Sequence, residues 1–178
     1  ETAGPQALVE YAGAILERAD LWTVSAAILA NDDLRGELES IASRNGRTIR
    51  LFSDWIAAAD HAFTEDATMH VVAKRPGIGE REGILYRGGL REAAAKYPDH
   101  LNSAVAAALC GPGLDRTTVE LVDTGPGGEH GIVATVDTGT SRFSTTIELA
   151  EKSDRGAHPT ASAILAALRR DGAVLRYG

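Results

Sequence analysis

Between Arg116 and Leu149 the chain alternates three strand-forming runs with turn-rich links, and no other feature limits its fold as tightly. The runs are Arg116–Asp123, His130–Asp137 and Arg142–Leu149. In the last of them Phe143, Thr145, Ile147 and Leu149 alternate with polar neighbours, so one face meets a core and the other meets water. Gly125-Pro126-Gly127-Gly128 and Thr138-Gly139-Thr140 separate the runs. Upstream, Thr68 to Lys74 reads as another strand and Pro76-Gly77-Ile78-Gly79 as a loop. Gly89–Lys96 and Asp99–Cys110 read as short helices. A last helix runs from about Pro159 to Arg170, with Ala161, Ile164, Leu165 and Leu168 as its apolar stripe. Strands in series with covering helices describe an open, mostly antiparallel α+β sheet with one shielded face.

The N-terminal part follows a different grammar. Gly4-Pro5 opens a helix whose apolar positions are Leu8, Tyr11, Ala12 and Ile15. Leu21–Ser25 reads as a short strand. Asn31-Asp32-Asp33 then places a capping side chain and two carboxylates at a helix start. Leu34, Leu38, Ile41 and Ala42 share a face before Asn45-Gly46 ends the helix, and Arg47 to Ser53 reads as a second strand. Strand–helix–strand with short links is the pattern of a parallel α/β unit. The expected organisation is therefore a partial dinucleotide-binding, Rossmann-like region over 1–60 and a sheet domain over 61–160. A C-terminal helix and tail over 161–178 complete the fold.

Bulk properties exclude several classes. The net charge of −7 over 178 residues argues against a nucleic-acid partner, whose phosphates need clustered Lys and Arg. No apolar run approaches the roughly 20 residues of a membrane helix, so no membrane partner is expected. No signal peptide is apparent, and the expected location is cytoplasmic. The single cysteine, Cys110, follows an apolar run and is expected to be a buried thiol. The chain begins at Glu1 and enters structured-looking sequence directly, which leaves room for a segment upstream.

The 5 histidines are widely spaced, without a metal-ligand pattern, and no metal is expected. Gly77-Ile78-Gly79 lacks the third glycine of a phosphate loop. His130 follows Gly127-Gly128-Glu129 at the start of a strand, where a loop delivers a side chain and a scaffold holds it. Its ordinary pKa suits proton transfer. On the residues themselves the simpler reading, a half-exposed histidine at a strand edge, comes first. His100 and Asn102 fit a shared cleft or ordinary turn roles.

The stretch Arg91-Glu92-Ala93-Ala94-Ala95-Lys96-Tyr97-Pro98-Asp99-His100-Leu101-Asn102-Ser103-Ala104-Val105, with Leu114-Asp115-Arg116-Thr117-Thr118-Val119, resembles the aspartate dehydrogenase family. Lys74-Arg75-Pro76 resembles that family's basic-Pro turn, Glu129-His130-Gly131-Ile132 its histidine strand, and Leu165-Ala166-Ala167-Leu168-Arg169 its last helix. The resemblance implies NAD(P)-dependent oxidative deamination of L-aspartate or a related amino acid. It makes His130 the catalytic residue and Asn102 a cofactor-binding residue. Ser53-Asp54-Trp55-Ile56 stands where the family has a Ser-Gly-Ala-Ile turn against the nicotinamide. Ser53 and Trp55 are thereby implied to be cofactor-side residues, with the indole narrowing the nicotinamide space.

The family's first Rossmann strand and Gly-rich phosphate loop have no counterpart in this sequence. NAD or NADP binding is therefore expected if that N-terminal half is supplied, and weak or absent cofactor binding otherwise. Two other readings stay open. One is a diverged homologue doing non-redox acid–base chemistry through His130 on a small-molecule or peptide substrate; the other is a non-catalytic dimerisation or binding module. A half-Rossmann sheet has an open edge, so a homodimer or a partner chain is expected beside the small-molecule substrate.

Overall fold

Pro5 lacks an N–H that a first helical turn would leave unbonded, and it begins helix α1 (Pro5–Leu16). The computed structural model describes residues 2–52, 56, 66–149 and 159–172. Leu8, Ala12 and Leu16 are fully buried on one side of α1. Tyr11, expected on that side, is 53% exposed. At 100° per residue it falls about 100° from the centre of the Leu8–Ala12–Leu16 face.

Strands β1 (Leu21–Thr23) and β2 (Ile49–Leu51) pair in parallel, Leu21 with Ile49 and Thr23 with Leu51. Between them lie a 3-10 turn over Ala26–Ala30 and helix α2 (Asp32–Arg44). The Asn31 carboxamide oxygen accepts from the backbone N–H of Asp33 and of Leu34, at 3.0 and 3.1 Å. That cap and the first-turn acids start α2 where the sequence marks it. Gly46, at φ 62°, ends it in the left-handed region. Leu38 and Ala42 face α1, completing a small core with Leu21 and Leu29.

The larger sheet holds β3 (Thr68–Arg75), β4 (Gly83–Gly89), β5 (Thr117–Asp123), β6 (His130–Asp137) and β7 (Arg142–Leu149), in the order β4-β5-β3-β6-β7. Only β3 and β5 are parallel; the other neighbours run antiparallel. Register aligns Met69, Val71 and Ala73 of β3 with Val136, Ala134 and Ile132 of β6, and Val71 with Val119 of β5. These residues form one buried face. Helices α3 (Leu90–Lys96) and α4 (Asn102–Leu109) cover it. Their contact residues are mostly alanine, whose short side chains let helix and sheet approach closely. Ala26, Ala27 and Ala30 join the same core, so the parallel unit packs on α3 and α4.

Three further expectations need correction. Strand β4 has no mark in the sequence, because Gly83, Gly88 and Gly89 dilute its pattern; pairing with β5 imposes the strand despite low propensity. In helix α5 (Pro159–Gly172), Ala167 is buried while Leu165 and Leu168 are 51% and 54% exposed. Of the expected stripe Ala161, Ile164, Leu165 and Leu168, Ile164 is half-buried and the other three are exposed. Cys110 is exposed, since it caps α4 two residues beyond the last buried alanine. No described helix is long and apolar enough to cross a membrane.

Candidate active site

His130 is the first residue of β6, opposite Leu149 of β7. The turn before it is rigidly built. The Gly128 N–H donates to the Gly125 carbonyl at 3.0 Å. A Cβ on Gly128 would overlap the Thr124 carbonyl oxygen, so only glycine fits. The Thr124 hydroxyl donates to the Glu129 carbonyl at 2.7 Å, and the Thr124 N–H to the Arg75 carbonyl at 3.1 Å. Glu129 also forms an ion pair with Lys74. His130 is thus presented, half-buried, by a turn tied to the end of β3.

Asp123, 2% exposed, organises the same end of the sheet. One carboxylate oxygen accepts from the N–H groups of Gly125 and Gly77, at 2.8 and 2.9 Å. The other accepts from the Gly79 N–H at 2.7 Å. The Gly125 bond, followed by those from the 77–79 loop, holds the Asp123 carboxyl below the usual carboxylate range, against the opposing effect of burial. The folded protein therefore binds fewer protons here than the unfolded chain. The stability this adds is present above about pH 4 and is lost as the pH falls through the lowered folded value. Asp123→Asn should lower the melting temperature at neutral pH by roughly 5 °C. The gap between variant and parent should close on acidification; a gap unchanged through the acid range would contradict this role.

Around His130 lies a cleft of about 470 Å³. Ile132, Ile147 and Leu149 line its sheet side. Arg75, His100, Asn102 and Ser103 line it from β3 and the start of α4, and Ile164 from α5. Val24 and Phe52 close it from the parallel unit, each one residue beyond the C-terminal end of its strand. Ligands of open parallel sheets bind at that end of the strands. The surface at His130 is thus concave, as catalysis needs, rather than flat.

Asn102, placed at the site by resemblance, lines the same cleft as His130 and has a second task. Its side-chain oxygen accepts the Ala27 N–H at 2.9 Å, joining α4 to the 3-10 turn. Because that backbone partner can only donate, the amide NH2 is the end left to face a ligand. His100 is held below the usual histidine range by burial first and by the Arg75 charge second, with Asp99 opposing. It is therefore neutral at pH 7. Ser53 and Trp55 lie outside the described residues. His70 stands elsewhere, on the exposed side of β3, 2.9 Å from the Thr118 hydroxyl. No cluster of three or more His, Cys, Asp or Glu fit for a metal occurs among the described residues.

Sequence reasoning missed Arg75, Val24 and Phe52 as parts of the cleft. The first carried a signal, the basic-Pro turn. The other two become readable only once the strand ends are located.

A sequence profile described as "Aspartate dehydrogenase, C-terminal" matches residues 63–171. The chain is 38% identical to L-aspartate dehydrogenase 1 of Bordetella pertussis, over 68% of this chain and 53% of that protein. It is 33% identical to the L-aspartate dehydrogenase of Ruegeria pomeroyi, over 88% of this chain and 65% of that protein. The chain thus spans about half the length of the first of these relatives. The crystal structure of aspartate dehydrogenase from Thermotoga maritima superposes on all of this chain and 78% of that one. Its TM-score is 0.78 at 20% identity, a likeness of fold.

Proposed function

Because this chain belongs to the aspartate dehydrogenase family, we propose that it supplies the substrate side of an NAD- or NADP-dependent dehydrogenase acting on L-aspartate or a closely related amino acid. One observation carries the reading: the C-terminal ends of β1 and β2 meet His130 and Asn102 on a single cleft. A nicotinamide ring needs a flat apolar wall and an amide partner. Val24 and Phe52 offer the wall, and the Asn102 NH2 offers a donor to a carboxamide oxygen, so the residues present fit the group. When bound, the nicotinamide supplies the acceptor for the hydride that leaves the substrate Cα.

The chain's own residues perform the remaining work. His130 accepts the proton released from the α-amino nitrogen as the carbon–nitrogen bond becomes an imine. Water then converts iminoaspartate to oxaloacetate and ammonia. Ile132, Ile147 and Leu149 exclude bulk water from the reacting face, which strengthens polar interactions there. The Gly128 turn and the Thr124 bonds fix the backbone that carries the imidazole, which limits the reorganisation needed when substrate arrives.

The test is an assay of the protein at its natural full length with L-aspartate and each nicotinamide cofactor. Reduction should require L-aspartate, and the reverse reaction should run with oxaloacetate plus ammonia. No reduction with L-aspartate or any of a panel of amino acids would remove the dehydrogenase reading. Turnover of a non-redox substrate that depends on His130 would then favour acid–base chemistry.

A further inference from the structure

Arg75 is the last residue of β3, and it lines the His130 cleft. Nη1 donates to the carbonyls of Lys74 and Gly131, at 2.9 and 3.0 Å. Nη2 donates to the carbonyl of His100 at 2.9 Å. All three acceptors are neutral. Arg50, Arg87, Arg91 and Arg142 instead each meet an Asp or Glu. Among the described residues Arg75 has no such partner, although Asp99 lines the same cleft.

Of five guanidinium protons, three are used. Those left are the Nε–H and the second proton of Nη2. Two donors on neighbouring nitrogens match the two oxygens of a carboxylate. No side-chain polar atom among the described residues is both buried and unpartnered, so the Nε–H reaches solvent, and Arg75 lines the cleft. Burial pushes the Arg75 guanidinium below its ordinary range, and its charge weighs on His100. A partly buried cation without a counter-ion is unfavourable, and an anion entering the cleft relieves that. The carbonyl anchors also set where the fork stands. Gly131 adjoins His130, and His100 lies two residues before Asn102. The fork is therefore held between the catalytic histidine and the start of α4.

We propose that Arg75 receives a carboxylate of the substrate through its Nε–H and Nη2–H, and so selects an acidic ligand for the His130 cleft. This rests on the dehydrogenase reading for the identity of the substrate, but not for the binding itself.

The experiment uses succinate, which has two carboxylates and no amine and cannot be deaminated. Calorimetric titration of the full-length protein should show saturable succinate binding and none with neutral succinamide. Arg75→Lys keeps the charge but loses the fork, and should weaken succinate by about 10- to 100-fold while the protein stays folded. The KM for L-aspartate should rise with it, by more than kcat falls. Because Arg75 also ties three carbonyls together, a readout on the unaltered protein is needed too. Its Arg75 Nε–H signal in the proton–nitrogen spectrum should move on adding succinate and stay in place with succinamide. A stationary signal at saturating succinate overturns the proposal. So does absence of succinate binding, or equal affinity in a folded Arg75→Lys protein. Succinate binding through Arg75 without aspartate-dependent reduction would leave this site standing and sink the dehydrogenase reading.

Discussion

Replacing His130 with alanine should lower aspartate-dependent turnover by about a hundredfold or more, the usual loss when general acid–base help is removed. The fold should hardly notice. His130 starts β6, and its ladder to Leu149 runs through the backbone, which alanine keeps. The buried positions of that strand are Gly131, Ile132, Ala134 and Val136, and His130 itself is half-buried. The stability change should therefore be about 1 kcal/mol or less. Steady-state kinetics and a melting curve on the same preparation check both parts. Full activity in the variant would return His130 to a strand-edge role. A large fall in melting temperature would make it structural, and a binding module would then be the better reading.

Asn102 gives the second large effect, and it separates two tasks in one side chain. Its oxygen holds the Ala27 N–H, and Ala27 is 2% exposed. That N–H belongs to the first turn of the Ala26–Ala30 segment, where backbone donors have no partner within the turn. Asn102→Ala leaves it buried and unsatisfied, at about 1–3 kcal/mol. Melting should fall by roughly 3–10 °C. Asn102→Asp keeps an oxygen for Ala27 and removes the NH2 offered to the cofactor. That variant should melt close to the parent yet bind cofactor more weakly, with KM rising more than kcat falls. Equal destabilisation by both substitutions would refute the Ala27 role. Undiminished cofactor affinity in Asn102→Asp would refute the cofactor role.

How far the fold could be read from the chain depends on how local its causes are. Helix α2 was readable because Asn31, Asp32 and Gly46 act within one turn of themselves. Strand β7 is readable because its alternation is written residue by residue. By contrast, β4 exists because β5 offers it a ladder, and three glycines conceal it. The face of α5 was misplaced for a related reason. Ile164 is half-buried beside the cleft, but Leu165 and Leu168 are exposed and the buried position belongs to Ala167. Size does not mark the buried position where close packing selects a small residue.

The site divides in the same way. The glycine turn marks His130 as a strand-entry residue, and resemblance makes both it and Asn102 candidate site residues. Its bond to Ala27 spans 75 residues and leaves no local mark. Arg75 matters because carbonyls from Gly131 and His100 converge on it, 56 and 25 residues away. Val24 and Phe52 matter because two strands end side by side.

The central claim is that a hydride passes between an amino-acid Cα and a nicotinamide beside His130. The most direct measurement uses L-aspartate carrying deuterium at Cα, with the full-length protein and whichever cofactor it reduces. Mass spectrometry of the reduced cofactor is the readout. One deuterium per reduced nicotinamide is the expected result, with transfer slowed by about a hundredfold or more in His130→Ala. Reduced cofactor without the label, or labelled cofactor formed at an unchanged rate in His130→Ala, would contradict it.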